Sequence, residues 1–371
     1  MFRRLQGVLT TFGLTPFSGA VAIEYLKGQL KEEGGAERCA RVMAHLLGLL
    51  NGRAVERPRL QAGCPNMIPR LRARPVWGQS AVELADVFPW VSLLEDNVEA
   101  IRGEFLALRG TGTFQPYRSP PPPPPAPAAA ARPASGLGVG VGVGVGVGVG
   151  GGGGNAVDEL GQLATSSGAW NVAYLHLHGL DFADTLARCP VTASLIAQIP
   201  RHYSHAFFSA LAPQTHITPH FGSTNKKLRC HLPLLVPPEP GAAWLRVGDE
   251  RVSLSAGRCV VFDDSHEHEA GNASAAEPRV VLVLDVWHPD LSDQEVRFLT
   301  FLNKGQMAAA RRLAKAKQAG AGAGGGASAG EAGQPTDFLS VILRARQQQQ
   351  QQQAGGVAEA AVWGGHRVVD D

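Results

Sequence analysis

The chain of 371 residues contains 45 glycines and 26 prolines, more than an ordinary globular protein has. Hydrophobic residues at 44% and charged residues at 18% nevertheless exclude a chain that is disordered throughout. The formal net charge of +2 gives no electrostatic footprint for nucleic acid or an anionic membrane. The sequence contains no apolar run of about 20 residues, so it predicts no membrane span.

Cysteine usage and the N-terminal segment bear on the compartment. The five cysteines are widely spaced and form no CxxC pair, which favours neither a disulfide framework nor a zinc knuckle. We therefore expect a soluble intracellular protein, by default in the cytoplasm. Arg3 and Arg4 precede the first acidic residue, Glu24, and this pattern is also typical of organellar targeting segments.

Composition divides the chain into four segments. Residues 1–118 are predicted to form a helical region that packs on the core, and residues 156–318 to form the main β domain. Between them, residues 119–155 run from consecutive prolines through a Val-Gly repeat to a glycine run, which predicts a low-complexity insertion. Residues 319–371 carry Gly/Ala and polyglutamine stretches and are predicted to be a disordered tail.

Apolar spacing predicts the N-terminal helices. Residues 23–50 follow a helical period that is interrupted at Gly34 and Gly35, which fits two helices or one broken helix. Residues 94–108 predict a single amphipathic helix. The intervening segment 68–90 is rich in proline and tryptophan, and we expect it to be an extended connection.

From residue 206 onwards the pattern changes to short alternating runs separated by proline or glycine. Gly248 and Asp249 predict a tight hairpin between two of these runs. The predicted strands span residues 206–211, 228–236, 244–247, 251–254, 258–262 and 279–286. Several short strands behind a helical layer predict an α+β protein whose core is an antiparallel barrel or a cupin-like jelly roll, the double-stranded β-helix.

Histidines cluster in this β region, and two of them stand in polar segments beside predicted strands. His220 lies in a turn-like segment before the strand that starts at residue 228, and His268 follows the strand that ends at residue 262. In a jelly roll these two positions can meet and give two imidazoles to a metal such as non-haem iron(II). The carboxylate that usually completes such a site is missing, because Gly222 occupies the place two residues after His220. Each histidine taken alone also fits a surface or turn position.

Two predicted strands carry polar residues on one face. Arg279 and Asp285 alternate with aliphatic residues, and Arg229 and His231 share one face of their strand. A buried arginine needs an anionic partner, which can be the distal carboxylate of 2-oxoglutarate or a carboxylate of the protein. The third possibility is that Arg279 lies at a strand end in solvent and needs no partner. For Arg229 and His231, a shared cavity and a half-exposed sheet fit equally well.

Four motifs in order resemble the aspartyl/asparaginyl β-hydroxylase family of iron(II)- and 2-oxoglutarate-dependent dioxygenases. The motifs are PHFGSTN at 219–225, LRCHL at 228–232, FDDSHEHE at 262–269 and DVWHPDL at 285–291. Members of that family have glycine in place of the metal carboxylate, so Gly222 agrees with the resemblance. Lys227 departs from it, because an arginine is common at that position.

The resemblance implies a site and a reaction. His220 and His268 would ligate iron(II), with water or another ligand in place of the carboxylate. Ser209 and Arg279 would hold the distal carboxylate of 2-oxoglutarate, and Arg229 and His231 would lie near its metal-bound end or the substrate. Asp263 and Asp264 are candidates for groups behind the metal ligands, or for turn residues.

The implied activity uses O2 and 2-oxoglutarate, releases succinate and CO2, and hydroxylates an unactivated carbon. We expect the β-carbon of aspartate or asparagine in a protein or peptide partner. Three alternatives stay open: a lipid-linked or small-molecule substrate, a cupin-like metal- or ligand-binding protein without turnover, and an interaction scaffold that acts through its polyproline and polyglutamine segments.

Overall fold

The computed structural model describes residues 1–53, 56–78, 80–117, 156–158 and 165–322. The predicted insertion and most of the predicted tail lie outside these residues. The helices are α1 (Phe2–Thr11), α2 (Pro16–Lys31), α3 (Gly35–Arg38), α4 (Ala40–Leu50), α5 (Ala81–Val87), α6 (Val91–Glu95), α7 (Val98–Ala107), α8 (Ala183–Arg188), α9 (Pro190–Gln198) and α10 (Asp293–Gly322).

The strands form two sheets. They are β1 (Val76–Trp77), β2 (Gln115–Pro116), β3 (Ala156–Asp158), β4 (Thr165–Ser167), β5 (Trp170–Leu177), β6 (Leu180–Asp181), β7 (His202–Leu211), β8 (Thr215–Gly222), β9 (Lys227–Leu235), β10 (Ala243–Val247), β11 (Glu250–Ser253), β12 (Val260–Phe262), β13 (His268–Asn272) and β14 (Arg279–Trp287).

The larger sheet has the order β1-β12-β9-β14-β7-β5-β2, with β6 paired to β5. The smaller sheet has the order β11-β10-β13-β8-β3, with β4 also paired to β8. Among the described strands, the pairs are antiparallel except for β3 with β8. Side chains from both sheets, including Phe207, Ile217, Leu245 and Val283, form the core between them. The prediction of a double-sheet jelly roll is confirmed.

The helices cover the outside of the larger sheet. The outward residues of β9 and β14 pack with Leu94, Ile101 and Phe105 of the helices in one buried cluster. A third cluster joins α1, α2, α4 and α10 to Trp287 at the end of β14. The helices cover the outward residues of β9 and β14 and the smaller sheet covers their inward residues, which explains why these central strands are buried along almost their whole length.

Three predictions about elements need correction. The helix predicted over 94–108 is divided into α6 and α7, because the Asn97 side chain donates a hydrogen bond to the Leu93 carbonyl, an alternative to the regular helical pattern. The segment 68–90 is not extended throughout, since it contains β1 and α5. His220 lies in β8 and not in a turn, because β8 accommodates Pro219 at a register shift, where its two residues 218 and 219 face the single residue 269 of β13.

The N-terminal region contributes directly to the larger sheet through Trp77 in β1. The Trp77 ring is 1% exposed and makes edge contacts with Phe88 at 6.0 Å and His288 at 5.2 Å between ring centroids. Through β1, the chain closes the β12 edge of the sheet, where Trp77 pairs with Val261.

We expect Trp77→Ala to lower the free energy of unfolding by about 3–5 kcal/mol, because it removes a large, fully buried ring. Urea unfolding followed by circular dichroism measures the change. Val82→Ala in α5 is the control, because Val82 is 71% exposed and its truncation should stay within about 0.5 kcal/mol. Equal effects of the two substitutions would contradict this account of the β1 edge.

Candidate active site

His220 and His268 meet between the two sheets. They are direct partners in the β8–β13 ladder, and their ring centroids are 3.9 Å apart. Both residues are buried, with 3% and 4% of their surface exposed. The expectation that the two histidines lie on neighbouring strands therefore agrees with the structure.

Backbone carbonyls determine the tautomers of both histidines. The His220 Nδ1 lies 2.8 Å from the Thr218 carbonyl oxygen, and the His268 Nδ1 lies 2.9 Å from that of His266. A carbonyl can only accept, so each neutral ring carries its proton on Nδ1 and its lone pair on Nε2. This orientation by a second hydrogen bond is typical of histidines that bind metals.

Gly222 lies where a third metal ligand would stand, and the structure leaves no space for a side chain there. A Cβ at this position would lie 2.7 Å from Oδ1 of Asp264. The Gly222 backbone N–H also donates to the Asp264 carbonyl at 2.6 Å. Oδ1 of Asp264 is buried and has no hydrogen-bond partner among the described residues. Two imidazoles beside a glycine and a partnerless carboxylate oxygen fit a two-histidine metal site, and no cluster of three or more such ligands is found among these residues.

A buried network of charges lies beside the histidines. Lys227 Nζ donates to Oδ2 of Asp264 at 2.6 Å and lies 3.0 Å from Oδ2 of Asp285. Arg229 binds Asp285 through two hydrogen bonds, of 2.9 and 3.1 Å, and lies 3.3 Å from Asp264. His205 Nδ1 approaches Asp285 at 2.8 Å. Two cations and two carboxylates thus compensate one another out of contact with solvent.

The two carboxylates of this network differ in acidity. Burial raises the pKa of Asp264 above its ordinary value, despite the attraction of Lys227 and Arg229. Burial also acts to raise the pKa of Asp285, but Arg229 and Lys227 outweigh it and hold that pKa well below the ordinary value. Asp285 is therefore the fixed anion of the network.

Arg279 is a buried cation of a different kind. It is 2% exposed, its Nε has no hydrogen-bond partner, and among the described residues no carboxylate lies within ion-pair distance. Its Nη1 donates a long hydrogen bond of 3.4 Å to the Trp244 carbonyl. Burial lowers the pKa of Arg279 to about 10, which still leaves the group charged at neutral pH. A charged guanidinium with free donors between the sheets is suited to bind a carboxylate.

Ser209 and His231 lie on the same interior face as Arg279. Ser209 is opposite Val281 in the β7–β14 ladder, two positions along from Arg279, and its Oγ accepts a 2.9 Å hydrogen bond from the Trp170 indole. His231 is opposite Val283, and its Nδ1 is buried without a hydrogen-bond partner. Burial, with Arg279 and Arg229 nearby, lowers the pKa of His231 well below its ordinary value, so the ring is neutral.

The candidate residues therefore divide into two groups. Between the sheets lie His220, His268, Ser209, His231 and Arg279. Arg229 shares this face, but its guanidinium is engaged by Asp285 and Asp264. Of the two aspartates considered, Asp263 binds Ser265 N at 3.0 Å in an Asx turn and also Gln61, whereas Asp264 contacts the site.

Sequence reasoning missed the partners that hold the site. Asp285 was recognised only as sharing a face with Arg279, although it is paired with Arg229 across the ladder. Nothing in the sequence indicated the contacts made by His205, Trp170 and the Trp244 carbonyl, because these contacts depend on which strands become neighbours. A polar residue on the inward face of an otherwise apolar strand was the one usable sign of Asp285.

Comparisons with known proteins find relatives for the segment that contains the histidine pair. Residues 154–289 match the sequence family described as aspartyl/asparaginyl beta-hydroxylase. The human aspartate beta-hydroxylase domain-containing protein 2 is 37% identical over 146 residues, which cover 38% of this chain and 39% of that protein. The human aspartyl/asparaginyl beta-hydroxylase is 33% identical over 136 residues, covering 36% and 18%. The resemblance to this family is confirmed for the segment that carries the site, and the chain spans less than half the length of these relatives.

Solved structures give a much weaker likeness. A 2OG-Fe(II) oxygenase family oxidoreductase from Burkholderia pseudomallei aligns with a TM-score of 0.25 at 12% identity, covering 33% of this chain and 71% of that one. A Pseudomonas putida prolyl-4-hydroxylase aligns with a TM-score of 0.22 at 18% identity, covering 32% and 72%. The fold assignment rests on the strand pairing described above. Within the described residues, no helix is long and apolar enough to cross a membrane.

Buried histidines predict that stability falls in acid. Burial lowers the pKa values of His45 and His202 from 6.5 to about 4. Between these values the unfolded chain binds protons that the folded chain excludes, so the stability present above pH 6.5 is lost as the pH falls toward 4. Each such histidine adds up to about 1.4 kcal/mol per pH unit to the slope.

Urea unfolding at a series of pH values tests this for the wild type and His202→Gln. We expect the variant, which cannot take up that proton, to have a shallower slope between about pH 4 and 6.5. A variant that retained the full slope would show that His202 does not exclude a proton in the folded state.

Proposed function

We propose that this protein is an iron(II)- and 2-oxoglutarate-dependent dioxygenase that hydroxylates the β-carbon of aspartate or asparagine in a protein or peptide. The observation that carries the proposal is the combination of two Nδ1-protonated histidines and one uncompensated buried arginine on the walls of the same interior. A metal-binding relic needs only the histidines, whereas a dianionic cosubstrate also needs a cation. The sequence match over residues 154–289 supports the same activity.

In this proposal His220 and His268 hold iron(II) through their Nε2 atoms. Iron with 2-oxoglutarate and O2 supplies the oxidising chemistry, and succinate and CO2 are the co-products. The carbonyls of Thr218 and His266 fix both rings through Nδ1. Asp264, with its partnerless Oδ1, is suited to accept a hydrogen bond from a water at the place that Gly222 leaves without a ligand.

Arg279 and Ser209 bind the distal carboxylate of 2-oxoglutarate. Arg279 contributes charge and free N–H donors, and Ser209 contributes a hydroxyl that Trp170 already orients. The neutral His231 lies on the same face and would stand near the other end of the cosubstrate. Arg229 is saturated by carboxylates, which favours a role in positioning its strand over direct contact with the cosubstrate.

The first experiment is the visible absorption of the anaerobic protein with iron(II) and 2-oxoglutarate. We expect a charge-transfer band in the wild type and its loss in His268→Ala. His216→Ala is the matched control, because His216 pairs with Glu269 and is part-exposed in the same smaller sheet. A folded wild-type protein without the band would overturn the proposal and favour a binding protein without turnover, as would a band that survives in His268→Ala.

Arg279→Ala should weaken 2-oxoglutarate binding about a hundredfold or more, since it removes the inward cation that no carboxylate of the described residues already engages. Titration of the band with 2-oxoglutarate measures the dissociation constant, and iron binding should remain. Arg246→Ala is the control, because that arginine is paired with Glu267 and Glu269 away from the site. An unchanged dissociation constant in Arg279→Ala would remove this residue from the cosubstrate site.

A further inference from the structure

Strand β3 occupies an unusual place beside the histidine pair. One edge of β8 is paired with β13, which carries His268. The other edge is shared by β4, which pairs at residues 216 and 217, and by β3, which pairs in parallel with residues 220–222. The part of the β8 edge next to His220 is therefore covered by three residues of extended chain.

The sequence of β3 matches the chemistry of the proposed site. Its residues are Ala156, Val157 and Asp158, and Asn155 precedes them. Asp158 takes the register position opposite Gly222, and Ala156 the position opposite His220. The backbone of β3 thus holds an aspartate, the residue type that the proposed reaction modifies, beside the proposed metal ligand His220.

β3 lies at the end of the smaller sheet, and β8 has another partner strand on its opposite edge. That partner is β13, which pairs with β8 over residues 215–220. Addition of an extended segment to a sheet edge uses backbone hydrogen bonds, which tolerate many sequences, while the side chains select among them. The same edge can therefore accept another peptide of similar sequence in place of β3.

Building on the proposed function, we propose that the β8 edge at residues 220–222 binds extended peptides containing aspartate or asparagine by parallel strand addition. In the isolated chain β3 holds this edge as an internal competitor, with Asp158 in the position of the target residue. A substrate peptide displaces β3 before it reaches the histidine pair.

The covalent attachment of β3 to its own binding site determines how strongly it competes with a free peptide. A segment joined to its own binding site has an effective concentration on the order of millimolar, so a free peptide that binds in the micromolar range is weakened at least about tenfold. In a parallel ladder alternate residues bond to a given neighbour, so consecutive prolines remove at least one N–H that β3 directs to β8.

The test measures binding of a labelled peptide of residues 153–161 by fluorescence anisotropy. The wild type is compared with Ala156→Pro/Val157→Pro. The control is Val145→Pro/Gly146→Pro, which places the same two prolines within the low-complexity insertion. We expect the first variant to bind the peptide at least about tenfold more tightly than the wild type and the control to match the wild type. Equal affinities in all three proteins, or no binding to any, would overturn the proposal.

Hydrogen exchange locates the binding. In Ala156→Pro/Val157→Pro, amide protection at Phe221 should fall and return when the peptide is added, because the neighbouring Gly222 N–H is bound to the Asp264 carbonyl and the N–H groups of a strand alternate in direction. Protection that returns elsewhere or not at all also overturns the proposal. The anaerobic absorption band is measured on the same samples: a band without tighter peptide binding rejects only the strand-addition proposal, and tighter binding without a band rejects only the proposed activity.

Discussion

The buried charge network of Lys227, Arg229, Asp264 and Asp285 connects the parts of the molecule on which the site depends. The two cations extend from β9, Asp285 comes from β14, and Asp264 belongs to the loop that leads to His268. The same loop accepts the Gly222 N–H, and Gly222 follows His220 by two residues. Removal of one member leaves a buried charge without compensation, which is costly in a protein interior. The relative position of the two histidines is therefore tied to charge neutrality inside the larger sheet.

Two strategies for handling buried charge coexist in this interior. The network is closed, because each cation faces a carboxylate of the chain itself. Arg279 is left open, because its desolvation is offset by no anion of the chain among the described residues. An unpaired buried cation destabilises the empty protein and gives a bound carboxylate more than the usual binding energy. In the proposed function, stability and cosubstrate affinity are therefore opposed at Arg279.

Much of this arrangement could be predicted from the sequence, because strand alternation alone determines which residues share a face. The inward positions of Arg229, His231 and Arg279 and the outward positions of Leu282 and Leu284 agree with the alternation. Pairing between distant strands could not be predicted in this way. The Arg229–Asp285 ion pair and the division of roles between Asp263 and Asp264 depend on ladder register. Strand β8 was also not predicted, because its proline and glycine are residue types typical of turns.

The edge contacts of the N-terminal region bear on how the folded unit is distributed along the chain. Gln61 donates to Ser265 and Asp263, β1 closes the β12 edge, and the Gly63 backbone packs so closely on the Phe221 ring that a Cβ would lie 2.3 Å away. The residues that match the family begin only at 154. The folded unit is thus discontinuous in sequence, with residues 118–155 joining an edge strand of one sheet to an edge strand of the other. A change in the length of this segment therefore alters a connection between two edge strands and leaves both sheets of the jelly roll intact.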